Sequence, residues 1–237
     1  MSIFAIADLH LGMAPDMEKP MDIFGPLWIN HVERLEKNWR EAITEDDTVV
    51  VAGDISWGLK LEEAGFDLDF IHALPGKKVL LKGNHDLWWS GITRLNKMYD
   101  DCTFLQYDSY RTEGIYIAGT RGWITPDDDD FTEDDRKVYD RELIRLKMSL
   151  DDACRARKEA SEEEAPIVVF MHFPPVSNPS GFSGFMQIFE DYGIKNVFYG
   201  HVHGQEGFRN TIIGNYHGTE YNLISADYLN CKPIKIR

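Results

Sequence analysis

A chain of 237 residues with 40 acidic against 25 basic side chains, net charge −15, is poorly suited to DNA or RNA, whose backbones call for clustered Lys and Arg. Its length fits one α/β domain with a sizeable core, expected to span residues 1–237. Cys102, Cys154 and Cys231 are odd in number, widely spaced and never in a C-x-x-C pair, which implies no disulfide framework or zinc ribbon, and no run approaches the ~20 apolar residues of a membrane span, so a cytoplasmic, reducing setting without membrane contact is expected.

In chain order, the first element is a β-branched apolar run over 3–7 that reads as a buried strand. It stops at Asp8 with no basic segment before it, unlike a signal peptide. Residues 13–26 hold three prolines and read as a loop, placed over whatever site the strand ends build. Apolar positions at Ile29, Val32, Leu35, Trp39 and Ile43 trace one helical stripe. A strand follows at Thr48–Ala52, a helix at 59–74 ending before Pro75-Gly76, and strands at 79–82, 103–107 and 115–119. Segment 127–135 contains seven acids. Thr132 with Asp135 three residues later is a helix-capping signature, and predicts a charged helix over about 133–162 within an acidic loop-helix insertion at about 125–165. Its charges read as a solvated face rather than a cation site. Strands are then expected at Ile167–Met171, Asn196–Tyr199 and 221–226, with an extended end at 234–237.

Five short motifs each follow one of these strands: Asp8-Leu9-His10, Gly53-Asp54, Gly83-Asn84-His85-Asp86, His172, and Gly200-His201-Val202-His203. They present carboxylates, one carboxamide and five of the chain's eight histidines, with no thiolate. Such oxygen and imidazole donors suit hard-to-borderline divalent ions such as Mn, Fe, Zn or Ni. If the extended backbone continued past each strand, Asp8 and His10, and likewise His201 and His203, would face the same side.

The order and spelling of these motifs, D-x-H, G-D, G-N-H-D, a lone H and G-H-x-H, resemble the calcineurin-like metallophosphoesterase superfamily, within it a bacterial subgroup of predicted phosphohydrolases. The resemblance implies a metallo-dependent phosphatase fold, a four-layer α/β/β/α sandwich of two mixed sheets flanked by helices. It implies two divalent metal ions, one held by Asp8, His10 and His203, the other by Asn84, His172 and His201, with Asp54 bridging both. It also implies hydrolysis of a small phosphomonoester or phosphodiester by a metal-bridging hydroxide. His85 matches the family's proton-donating histidine. Asp86 beside it is expected either to orient His85 and raise its pKa or to serve as a turn or cap residue. Arg121, after a strand, is a candidate for a phosphate oxygen, its bland alternative being a loop salt bridge. Trp57, Trp88 and Trp89 could form a stacking wall, with packing the commoner role for Trp. Competing functions are Ser/Thr protein phosphatase activity and a metal-binding scaffold without turnover, which should show gaps in the ligand set.

Overall fold

A computed structural model, describing residues 1–17 and 19–237, arranges the apolar runs as two sheets. The first contains β1 (Ile3–Ile6), β2 (Thr48–Ala52), β3 (Lys77–Leu81) and β4 (Cys102–Leu105) in parallel. Strands β5 (Tyr110–Thr112), β6 (Ile115–Thr120), β7 (Ile167–Met171), β8 (Asn196–Tyr199), β9 (Gly214–Tyr216) and β10 (Thr219–Leu223) make the second. There β6, β7, β8 and β10 are parallel, and β5 and β9 are antiparallel edges. The last strand, β11 (Ile234–Lys235), returns to pair antiparallel with β1.

The layering follows from period-2 alternation in strands buried on both faces. Phe4, Ile6, Val49, Val51 and Leu80 pack outward with Leu35, Trp39, Leu68 and Ile71 of α1 (His31–Ala42) and α2 (Leu61–His72). Their neighbours Ile3, Ala5, Val50 and Val79 point the other way, onto Ile117, Val168, Phe170 and Phe198 of the second sheet. Val169, Met171, Val197 and Tyr199, on that sheet's far face, pack with Leu146, Leu150, Phe185 and Phe189 from two further helices. Three apolar clusters thus separate four layers: helices, sheet, sheet, helices.

The remaining helices are α3 (Ile92–Leu95), α4 (Glu133–Glu159), α5 (Gly184–Tyr192) and α6 (Gly204–Arg209). Helix α4 connects the parallel strands β6 and β7, and starts at the expected box, Thr132 and Asp135 bonding each other's backbone N–H groups. No described helix is long and apolar enough to cross a membrane.

Two edge strands, β5 and β9, were not expected from the sequence. Each is three residues long and closes a hairpin through a two-residue turn, Glu113-Gly114 and His217-Gly218, with positive φ at both positions. Turns of that hand match the twist of the flanking strands. They place β10 two residues earlier than the expected 221–226 and give His217 a turn position.

Candidate active site

All five motifs fall at the C-terminal ends of parallel strands, where successive βα connections leave side chains free to converge. Asp8 and His10 follow β1, Asp54 follows β2, Asn84 follows β3, His172 follows β7, and His201 and His203 follow β8. The two sheets are stitched together here: Ala7 N–H donates to Ile224 O, and Ala226 N–H to Ala7 O.

Donor atoms of Asp8, His10 and His203 lie within 4.8 Å of one another, and so do those of Asp54, His172 and His201. His172 joins the groups. Its Nδ1 is 3.7 Å from Asp8 Oδ1, and its Nε2 is 3.4 Å from Asp54 Oδ2 and 2.7 Å from Asn84 Oδ1. His10 Nε2 approaches Asp54 Oδ2 at 3.8 Å, and His203 Nε2 approaches Asp8 Oδ1 at 3.7 Å. The seven residues expected to hold metal are therefore brought into one cluster.

The backbone route differs from the expected one. Extended geometry does not continue past the strands: Asp8, His10, Asp54 and His201 all have φ between 45° and 69°. The left-handed region is uncommon outside glycine, though Asp, Asn and His enter it more readily than other residues. Concentrated strain of this kind accompanies functional sites. The turns, not strand pleating, aim Asp8 and His10 into the same cleft.

Close approach of the chain is also built in. A Cβ on Gly83 would fall 2.1 Å from Asp54 Oδ1, and one on Gly200 2.4 Å from Asp8 Oδ2. Glycine at these points lets two neighbouring loops press the carboxylates inward.

The electrostatics describe a site made for positive charge. Burial pushes the Asp8 carboxyl up to about 6, against the pull of His203 and His172. Burial acts upward on Asp54 too, but His172 and His10 outweigh it and hold Asp54 below the usual range. Burial opposes the charge on His172, yet Asp54 and Asp8 drive it up to about 9. Burial and the adjacent His172 charge push His201 down to about 3. The buried carboxylates thus favour positive charge at the neighbouring donors. His10 Nδ1 is buried without a partner among the described residues. Oxygen and imidazole donors at this spacing fit divalent cations.

His85 stands at the rim with 44% of its side chain exposed, its Nε2 4.0 Å from Asp54 Oδ2 and its ring 4.5 Å from Trp57. Asp86 does not orient it. Its buried carboxylate faces away, accepting Ile55 N–H (2.9 Å), Ser56 N–H (3.2 Å), Gly83 N–H (2.7 Å) and the Trp88 indole N–H (3.1 Å). The pKa of His85 is lowered by burial, then pulled back by Asp54, rather than raised by Asp86. Four inward-pointing donors from the loops after β2 and β3 need one acceptor, and Asp86 fills that need. Its contacts are those of a turn residue, tying Asp54's loop to Asn84's.

Arg121 does not line this cleft. It pairs with Glu142 at 3.4 Å and stacks over Trp123 at 4.6 Å, in a separate recess. Trp88 and Trp89 are core residues, whereas Trp57 stacks on His10 at 4.8 Å. Met21, Phe24 and Trp28 complete the wall of a cleft of about 440 Å³, so the 13–26 stretch does reach the site.

One important residue was missed in the sequence. Buried Asp227 accepts from His203 Nδ1 at 3.0 Å and from the Gly204 N–H at 3.0 Å. That bond presents Nε2 of His203 to Asp8, the second-sphere arrangement that orients ligating histidines. The available signal was an acid just past the strand-like 221–226 run, the placement shared by Asp8 and Asp54.

A family profile described as calcineurin-like phosphoesterase matches residues 1–205. A 104-residue stretch is 33% identical to the Gene 66 protein of Mycobacterium phage D29, covering 41% of this chain and 48% of that protein, so the match spans about half of that relative. Among solved structures, the chain is similar to phosphopantetheinyl hydrolase (PptH) from Mycobacterium tuberculosis, with TM-score 0.50, 17% identity, and coverage of 99% of this chain and 95% of that one. Protein AQ665 of unknown function from Aquifex aeolicus aligns over 99% of this chain and 95% of its own, with TM-score 0.46 and 17% identity. At such identity the likeness to PptH concerns the fold.

Proposed function

This chain belongs to the calcineurin-like phosphoesterase family, and from that premise we propose that it hydrolyses a small phosphomonoester or phosphodiester with two divalent cations. The observation that carries the reading is the convergence of seven oxygen and imidazole donors at strand ends of both sheets, in two adjoining groups linked through His172. Asp8, His10 and His203 are assigned to one ion, Asn84, His172 and His201 to the other, and Asp54 to both. When bound, the ions supply Lewis-acid charge that shields phosphoryl oxygens and acidifies water.

The protein's own groups do the rest. Asn84 offers a neutral carbonyl, which limits the negative charge facing an anionic ester. His85, exposed at the rim and anchored through its backbone N–H to Asp54 Oδ1 at 2.8 Å, is placed to hydrogen-bond a phosphoryl or leaving-group oxygen and deliver a proton as the ester bond breaks. Trp57 and Trp28, at 4.8 and 5.6 Å from the His10 ring, narrow the approach and limit water around the reacting ester. The complete donor set disfavours the scaffold reading. Three free cysteines and the acidic balance fit a reducing, cytoplasmic setting.

The test is a metal-reconstituted screen of cyclic nucleotides, nucleotides, sugar phosphates, phosphopeptides, phosphopantetheinyl esters and p-nitrophenyl mono- and diesters. Chelation should abolish turnover and Mn²⁺ should restore it. Turnover that persists in metal-stripped protein, or no turnover of any ester at full metal loading, would overturn the proposal.

A further inference from the structure

A second recess of about 240 Å³ lies between the ends of β3, β4 and β6 and the flank of α4, and shares no lining residue with the donor cleft. It concentrates positive charge in a chain whose net charge is −15. Lys82, Arg121, Arg141 and Arg145 line it, against the single acid Glu142. Glu142 is fully buried and already committed: it accepts from Thr120 Oγ1 at 2.6 Å and Arg145 Nη1 at 2.8 Å, with Arg121 Nη2 at 3.4 Å. One carboxylate cannot satisfy three guanidinium groups, each with five N–H donors.

The hydrogen bonding of the walls tells the same story. Trp89 Nε1, Ser90 Oγ and Arg121 Nε are each buried without a partner among the described residues, and all three residues line this recess. Trp Nε1 and Arg Nε can only donate. Buried donors are nearly always satisfied in folded proteins, so these unpartnered donors on residues of the recess wall add to the shortage of acceptors that its four cations already show. The volume suits a compact anion, and paired Arg forks suit the tetrahedral oxygens of phosphate.

We propose that this recess is a second anion-binding site that takes a phosphate group, separate from the donor cleft. Glu142 holds the arginine forks apart while leaving them net positive. The phosphate could come from solution or be a second phosphate on the ester being hydrolysed; the recognition chemistry is the same. The site does not depend on the proposed activity.

Inorganic phosphate titrated into Zn²⁺-loaded protein labelled with ¹⁵N-Trp tests this. The Trp89 indole signal is identified with Trp89→Phe. A saturable Trp89 shift that potassium chloride at equal ionic strength does not reproduce is expected. Arg145→Gln should weaken it about 10- to 100-fold, the loss of a charge-assisted contact. Phosphate bound only at the metal cleft would instead move Trp57, which stacks on His10, and leave Trp89 still, overturning the proposal. If Arg145→Gln fails to fold, the wild-type titration decides by itself. An α,ω-alkanediphosphonate separates the sources. Tighter binding than phosphate with Trp57 and Trp89 moving together identifies a substrate's second phosphate, and no gain identifies free phosphate.

Discussion

Adding one methyl group at Gly83 should disable the protein, and the same methyl at Gly65 should strengthen it. In Gly83→Ala the new Cβ would sit 2.1 Å from Asp54 Oδ1 and 2.2 Å from Asp54 N, against a floor of 3.0 Å for real Cβ contacts. Relief requires the two loops to separate by about 0.9 Å, since the obstacles include backbone. Overpacking of this kind costs about 1–3 kcal/mol. At about 2.1 cal/mol/K per residue, 237 residues give an unfolding entropy near 0.5 kcal/mol/K, so Tm should fall by about 2–6 °C. A displacement near 1 Å of the carboxylate assigned to both ions should cost about 100-fold in kcat/KM. Gly65, inside α2, has no described atom within 4 Å of its Cβ position, so Gly65→Ala should gain about 0.8–1 kcal/mol of helix propensity and raise Tm by about 2 °C. Differential scanning calorimetry, metal analysis and bis-p-nitrophenyl phosphate turnover on both variants check the pair. Wild-type Tm, metal content and turnover in Gly83→Ala would refute the packing argument.

His85→Ala should retain both ions yet lose about 10²–10⁴ in kcat on esters with poor leaving groups, and much less on p-nitrophenyl esters; equal losses on both would mean that His85 chiefly binds phosphate. Asp227→Ala should weaken metal affinity by about 10- to 100-fold through His203, seen by competition with a fluorescent chelator, while unchanged affinity would make the Asp227–His203 bond purely structural. Asp101 is pushed up by burial but held lower overall by hydrogen bonds from Lys78 and His72. A carboxyl with a depressed folded pKa contributes stability that is complete above the unfolded value near 3.9 and is lost as pH falls through the folded value. The urea midpoint should therefore fall less steeply below about pH 4 in Asp101→Asn than in wild type, and parallel profiles would contradict the sign.

The central strands could be read from sequence because parallel strands buried on both faces leave continuous apolar runs, as in Thr48–Ala52 and Ile167–Met171. The donor cluster was legible for a related reason: each motif directly follows such a run. What escaped depends on three dimensions. Asp86 looks like a partner for its neighbour His85, but its role is set by Ile55 and Ser56, some thirty positions earlier. Asp227 becomes meaningful only because β10 lies beside β8. Arg121 was correctly placed at a strand end, yet whether it turns toward Asp54 or Glu142 is decided by α4, which supplies the buried carboxylate. The edge strands β5 and β9 are too short to show periodicity.

The backbone at the cleft divides its donors into those open to redesign and those closed. Asp8, His10, Asp54 and His201 occupy left-handed conformations that cost most side chains about 1–2 kcal/mol per residue and penalise β-branched ones further. An engineer seeking a different metal preference would face a narrow alphabet at these four positions, restricted to short polar side chains and histidine. Asn84, His172 and His203 lie outside that conformation, so the backbone itself sets no such limit on them. On the proposed two-ion reading, changes of metal selectivity should meet less backbone strain in the second group of donors than in the first.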